Sequence, residues 1–152
     1  MHWLNHVLLG VNSLLLFTHA PLSQILIFGI VFSILPDLDI VIKYAKGERQ
    51  GMLRTWSQEP ISIALLFVVA LIWDFFSPGV FILVLLPYTL HILLDYCTVH
   101  TVHPYSPFAY DKVEVGFIKG VPLKDFFRSF YRFEFHENWF CVAQIILLTI
   151  LL

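Results

Sequence analysis

Five apolar stretches, separated by loops that hold nearly all the charge, constrain the fold of this chain more than any other feature. They cover residues 3–17, 22–35, 61–76, 80–96 and 139–152. With 59% hydrophobic residues, 13% charged residues and a mean hydropathy of +0.81, the chain is more apolar than a soluble domain of its length. Each stretch would form a helix somewhat shorter than the roughly 30 Å hydrocarbon core. The sequence therefore predicts an all-α, polytopic membrane bundle of four to five transmembrane helices.

The basic residues predict which side of the membrane each loop faces. All nine Lys and Arg lie in two long loops: Lys43, Lys46, Arg49 and Arg54 in the first, and Lys112, Lys119, Lys124, Arg128 and Arg132 in the second. The short connections at 19–21 and 77–79 contain none. Because Lys and Arg are retained on the cytoplasmic side, we expect both long loops and the N-terminus there, in a bacterial or archaeal cytoplasmic membrane.

The chain is predicted to form one membrane-embedded domain over residues 1–152, with its core at about 4–108. Segment 122–136 places three phenylalanines on one side of a helix and charged residues on another, a pattern typical of an amphipathic helix lying in the interface. Packing of this helix on the protein's own loops is the alternative. Its basic and aromatic residues favour contact with anionic lipid and not with nucleic acid. The last apolar helix, 139–152, is the least secure span.

Six ionisable side chains are predicted to meet at one level of the bundle. Each lies near the expected cytoplasmic end of its segment, and together they are His6, Asp37, Asp39, Glu59, His91 and Asp95. His91 and Asp95, four residues apart, project from the same helix face, where both can hold one metal. A charged or polar group in hydrocarbon is costly unless it is paired, and no Lys or Arg lies within an apolar stretch. We therefore expect one or two divalent cations.

Each of these residues alone has a simpler interpretation. A lone histidine suits the interface, a lone aspartate suits a turn, and a lone glutamate suits the N-terminus of a helix. His91 and Asp95 could form only a hydrogen bond. The level shared by all six nevertheless favours a common site, and nitrogen and oxygen donors without a thiolate favour zinc, with manganese or iron as alternatives. Cys97 and Cys141 lie in or beside apolar stretches and are expected to be buried thiols, not parts of a disulfide framework.

The remaining histidines are weaker candidates. Four are expected on the cytoplasmic side as outer ligands or substrate contacts: His2, His100, His103 and His136. His19 and Asp74 are expected at the opposite face, as interfacial polar residues.

Several motifs together resemble a known family. LPDLD at 35–39, RTWSQEP at 54–60, HILLDYCT at 91–98 and HPYSPF at 103–108 look like the YdjM-like, LexA-regulated, membrane-bound predicted metal-dependent hydrolases. The resemblance covers about residues 4–108 and implies that His6, Asp37, Asp39, His91 and Asp95 are metal ligands. Where the family has a histidine before its third helix, this chain has Gln58, followed by Glu59. We expect Glu59 to be the ligand, and Gln58 is the alternative.

The resemblance extends to zinc-dependent phospholipase C and its nuclease relatives, which implies phosphodiester chemistry. The expected function is a metal-dependent hydrolase acting on an ester or phosphoester, with a lipid or lipid-linked substrate. A metal-activated water would be the nucleophile, Arg54 would stabilise developing charge, and Asp39 or Glu59 would act as general base. The alternatives are a non-catalytic structural or regulatory metal-binding protein and a metal-binding transporter. No feature of the sequence identifies a protein partner.

Overall fold

The computed structural model describes residues 3–38, 56–97, 101–102, 113–114 and 137–152, and nearly all of these residues lie in helices or in the turns between them. These described residues form five α-helices: α1 (Trp3–Phe17), α2 (Leu22–Ile34), α3 (Pro60–Phe76), α4 (Val80–Cys97) and α5 (Glu137–Leu151). These helices match the five apolar stretches to within two residues at each end, so the predicted all-helical fold is confirmed. The interfacial segment predicted at 122–136 lies outside the described residues.

Shorter elements connect the helices. One 3-10 turn, Leu35–Asp37, follows α2, and another, Trp56–Gln58, precedes α3. Two strands of two residues each, β1 (Thr101–Val102) and β2 (Val113–Glu114), pair antiparallel. This pairing was not predicted from the sequence.

Helix length distinguishes α4 from the others. It has 18 residues with a mean hydropathy of 1.9, and among the described helices it alone is long and apolar enough to cross a membrane. The other four are apolar helices of 10–17 residues.

The connection between α3 and α4 is a tight turn at Ser77–Gly79. Gly79 has a φ of +90°, a conformation that glycine adopts without steric cost. The carboxylate of Asp74 accepts hydrogen bonds from the backbone N–H groups of Gly79 (2.8 Å) and Phe81 (3.0 Å). Asp74 therefore stabilises the start of α4, a role more specific than that of the interfacial polar residue expected from the sequence.

Helices α1, α2 and α4 approach one another closely at two glycines. A Cβ on Gly29 would lie 2.8 Å from Val11 Cγ2, and a Cβ on Gly10 would collide with Ser33 Oγ. The same Cβ on Gly10 would lie 3.0 Å from the Cβ of Pro87 in α4. Small residues at a crossing let helix backbones approach, as in many membrane bundles. The crossing lies one helical turn from His6, and it fixes how α1 sits against its two neighbours.

Apolar side chains cover much of the outside of the helices, while polar ones lie inside. Phe75 and Phe76 are 83% and 78% exposed, and the other exposed large hydrophobic residues include Ile27, Val68, Ile72, Ile146 and Ile150. Buried polar residues include Asn12 of α1, whose Nδ2 donates to Oε1 of Gln144 in α5 at 2.7 Å. This distribution is the reverse of that in a soluble protein, where polar side chains are mostly exposed.

Candidate metal centre

Four of the predicted site residues come together at one end of the helices. His6 lies near the start of α1, Asp37 lies in the turn after α2, and His91 and Asp95 lie in the last turns of α4. A short connection joins α1 to α2, so the start of α1 lies beside the end of α2, and the contact of His91 with the Ser33 carbonyl places the end of α4 there as well. All four residues are buried, with exposures of 1–6%.

The donor atoms of this cluster are close together. His6 Nε2 lies 3.2 Å from Asp95 Oδ1, and His91 Nε2 lies 3.7 Å from Asp95 Oδ2. The three residues His6, His91 and Asp95 offer ligand atoms that all lie within 4.8 Å of one another, so they could hold a metal ion. Asp37 adjoins this group, since its Oδ1 is 3.5 Å from His91 Nε2.

A backbone carbonyl orients the central histidine. His91 Nδ1 lies 2.5 Å from the carbonyl oxygen of Ser33, which can only accept, so Nδ1 carries the hydrogen. In the neutral ring, Nε2 then presents a lone pair towards the oxygens of Asp37 and Asp95. Metal-binding histidines commonly make this second hydrogen bond, which fixes the tautomer and the ring orientation.

The lone pair of His91 Nε2 therefore faces carboxylate oxygens, which are acceptors as well. His91 Nε2 and both ring nitrogens of His6 are buried and make no hydrogen bond of good geometry to any residue that the structure describes. The two imidazole rings stack with centroids 3.8 Å apart, an arrangement in which two positive rings would repel each other. A divalent cation between neutral imidazoles and carboxylates would bind one nitrogen of each ring together with the carboxylate oxygens.

The spacing of the donors fits such an ion. Zinc bonds nitrogen and oxygen at about 2.0–2.2 Å, so two ligands of a tetrahedral ion lie about 3.4 Å apart. The separations of 3.2, 3.5 and 3.7 Å between His6 and Asp95, His91 and Asp37, and His91 and Asp95 are close to that value. Among the described residues no thiolate contributes, because neither Cys97 nor Cys141 belongs to the group that could hold the ion.

Gln58 and Glu59 lie beside the centre and differ in what they contact. Gln58 Nε2 donates to Asp37 Oδ1 at 2.6 Å, whereas Glu59 Oε2 accepts a hydrogen bond from the Tyr96 hydroxyl at 2.6 Å. Both residues are buried, with exposures of 2% and 1%. Glu59 lies outside the three-residue group, and its assignment as a ligand stays a prediction.

A set of hydrogen bonds holds the turn that carries Gln58. The Tyr88 hydroxyl in α4 donates to the carbonyl of Ser57 at 2.7 Å, and Ser57 Oγ donates to the carbonyl of Pro36 at 3.1 Å. Ser62 Oγ, in the first turn of α3, also contacts the Ser57 carbonyl at 2.9 Å. These contacts tie the turn to both α4 and the end of α2, and so place Gln58 against Asp37.

Several predicted residues lie elsewhere. Asp39, Arg54, His2, His100, His103 and His136 are outside the described residues, so their roles stay predictions. His19 is exposed at the far end of α1, away from the cluster.

Sequence reasoning did not identify three contacts of the centre. The carbonyl of Ser33 is a backbone group with no sequence signal of its own. Gln58 and Tyr96, which supply the amide donor and the hydroxyl, are each adjacent in sequence to a proposed ligand. That adjacency is the sequence signal from which these two contacts could have been predicted.

The apolar outer surface and the buried histidine–aspartate cluster together define a helical protein of membrane type with a candidate metal centre. The chain belongs to the YdjM inner membrane protein family, whose family model matches residues 1–152. This match confirms the family and the membrane localisation expected from the sequence. No curated protein and no solved structure matches the chain.

Proposed function

We propose that this protein is a membrane-embedded, metal-dependent hydrolase that acts on an ester or phosphoester bond at the cytoplasmic interface. The observation that carries the proposal is the orientation of His91. Its Nδ1 is bonded to the Ser33 carbonyl, so its Nε2 lone pair faces Asp37 and Asp95 in a buried site that no described cation balances. Such a site favours a divalent ion, and zinc suits its donors best.

The ligand set supports catalysis over simple storage of the ion. His6, His91 and Asp95 give three protein ligands, the number found in catalytic zinc sites, which keep a fourth position for water or substrate. A divalent ion held there supplies a water activated for attack on an ester or phosphoester. Asp37 is close enough to join the ligands or to bridge to a second ion. We assign Asp39 or Glu59 as the general base. We assign Arg54 as the residue that stabilises the negative charge developing in the transition state.

The outer surface of the helices supports the membrane part of the proposal. We infer that four or five helices span or enter the bilayer, because their exposed side chains are apolar while polar groups face inward. A substrate would then reach the site from the membrane, which favours a lipid or lipid-linked ester. Segment 122–136 would contact anionic lipid, and we do not propose a nucleic acid substrate.

One observation favours a non-catalytic alternative. The ligands are contributed by α1 and α4, with Asp37 adjoining from the turn after α2, and each is almost inaccessible. A metal that only holds helices together would use the same arrangement. The two functions differ in whether a bound ion accepts an outside ligand.

Hydrolysis by the purified protein tests the proposal. The metal content of the protein in detergent would be measured, followed by release of headgroup or phosphate from phospholipids and polyprenyl phosphates. We expect about one or two zinc ions per chain and a hydrolysis rate that falls at least about 100-fold in Asp95→Asn. Asp74→Asn makes the same chemical change in the α3–α4 turn and keeps an acceptor oxygen, so it should leave the rate unchanged. Bound zinc without hydrolysis of any such ester would favour the structural alternative.

The sidedness of the site has its own test. In a variant without Cys97 and Cys141, Lys46→Cys and Lys119→Cys should react with an impermeant thiol reagent only from the cytoplasmic side. Ser77→Cys, in the α3–α4 turn, should react only from outside, because the basic loops stay in the cytoplasm. Labelling of positions 46 and 77 from the same side would contradict the proposed topology.

A further inference from the structure

Gln58 lies against the candidate metal centre without belonging to the group that could hold the ion. Its side chain is 2% exposed, and its Nε2 is 2.6 Å from Asp37 Oδ1. An aspartate carboxylate only accepts hydrogen bonds, so the NH₂ group of the amide must face it. The orientation of the amide is therefore set by Asp37.

The carbonyl oxygen of Gln58 lacks a donor. Oε1 is buried and has no hydrogen-bond partner within the part of the chain that the structure describes. A buried acceptor left unpaired is unfavourable, so a donor is expected beside it. The two polar atoms of an amide are about 2.3 Å apart, which places Oε1 within about 5 Å of Asp37 Oδ1. One water can bridge two atoms at that separation, and because Asp37 Oδ1 is 3.5 Å from His91 Nε2, such a water would lie beside the centre.

We propose that Gln58 is a positioning residue with two functions: its N–H holds Asp37 towards the metal, and its Oε1 accepts a hydrogen bond from the water consumed in hydrolysis. The first function depends only on a bound metal, whereas the second rests on the proposed hydrolase activity. Gln58 takes no proton in this scheme. It fixes the position of one ligand oxygen and the orientation of one water.

The rigid setting of Gln58 supports this assignment. The turn that carries it is held by Tyr88 and Ser57, and the side chain lies among buried groups. A hydrogen bond from such a residue to a metal ligand restricts the ligand to one orientation. Loss of an outer partner of this kind typically weakens metal binding about 10–100-fold.

Metal affinity is the first measurement, because it needs no substrate. Zinc affinity in detergent would be determined by competition with a chromophoric chelator for the wild type, Gln58→Met and Gln58→His. Methionine has a similar size but neither a strong donor nor a strong acceptor, so Gln58→Met should bind zinc about 10–100-fold more weakly. Histidine carries one N–H and one acceptor nitrogen, so Gln58→His should recover much of the loss. Gln144→Met, the same replacement at a buried glutamine of α5, should leave zinc affinity unchanged.

The visible spectrum of the cobalt-substituted protein separates positioning from direct coordination. Gln58→Met should keep the band positions and intensity of the wild type, because the ligands are unchanged. A changed spectrum with an affinity loss well above 100-fold would make Gln58 a ligand and overturn the assignment. Unchanged affinity in Gln58→Met would show that its contact with Asp37 does not position the metal, and would also overturn it.

The role of Oε1 is tested at saturating zinc with bis(p-nitrophenyl) phosphate as the probe. Gln58→Met should lower kcat about 10-fold or more with little change in KM, and Gln58→His should restore it. An equal kcat for Gln58→Met and the wild type would refute the contact with water. If the wild type binds zinc but hydrolyses neither this probe nor the lipid esters, the proposed function fails, while the affinity measurements still decide the positioning of Asp37.

Discussion

Replacing His91 with alanine is expected to remove the metal and to destabilise the helix bundle. The Nε2 of His91 lies 3.5 Å from Asp37 and 3.7 Å from Asp95, and its ring stacks on His6. Without it, two buried carboxylates remain close together with one ligand fewer to bind a cation. Removing one partner from a buried charged pair typically costs about 3–5 kcal/mol. Zinc affinity should fall by more than the 10–100-fold typical of an outer-shell contact.

The measurement pairs zinc content with thermal unfolding in detergent, because metal binding and folding are coupled. His19→Ala is the matched control, since His19 is exposed at the other end of α1. It should change neither the zinc content nor the unfolding temperature. If His91→Ala keeps its zinc and only its stability falls, the cluster is a set of structural hydrogen bonds and not a metal centre.

The convergence of His6, Asp37, His91 and Asp95 could be anticipated from the sequence because it follows from a few strong signals. The lengths of the apolar stretches and the turn residues between them set the number of helices and the direction in which each one runs. These directions determine which helix ends lie on the same side of the bundle. The spacing of His91 and Asp95 then places both on one face of α4. These are properties of the backbone path, which periodicity and helix breakers encode directly.

The hydrogen bonds around the four clustered residues could not be predicted, because they depend on how far one helix is rotated about its axis relative to another. The bond from His91 to the Ser33 carbonyl requires a particular rotation of α4 relative to α2. The choice between Gln58 and Glu59 likewise depends on a 3-10 turn, in which neighbouring side chains point in different directions. A one-residue difference in register exchanges their roles, and composition does not encode register.

Close packing of α1 against α2 should be as important to the centre as its ligands. Gly10, Ser33 and Pro87 each lie four residues from a member of the cluster, namely His6, Asp37 and His91, and they meet at the helix crossing. One helical turn therefore separates the crossing from the cluster on all three segments. Any substitution that pushes these helices apart should also separate the donor atoms.

Gly10→Ala is expected to destabilise the protein and weaken zinc binding, although alanine favours a helix over glycine by about 1 kcal/mol. The new Cβ would collide with Ser33 Oγ and lie 3.0 Å from the carbonyl oxygen of Gly29, and that backbone atom cannot move without shifting α2. Overpacking of this kind typically costs about 1–3 kcal/mol. Unfolding of the variant in detergent, measured with and without zinc, gives both effects.

A double-mutant cycle shows whether the close contact at the helix crossing causes the loss of stability and of zinc binding. Ser33 is 0% exposed and its Oγ has no described hydrogen-bond partner, so Ser33→Ala removes the colliding atom at little cost in hydrogen bonding. Combined with Gly10→Ala, it should recover part of the stability and zinc affinity, with a coupling energy of about 0.5–3 kcal/mol. Ala64→Val adds methyl groups at an exposed position of α3 and should change neither quantity. If the effects of Gly10→Ala and Ser33→Ala simply add, the two residues do not share a packing constraint, and the spacing of the cluster must be set elsewhere in the bundle.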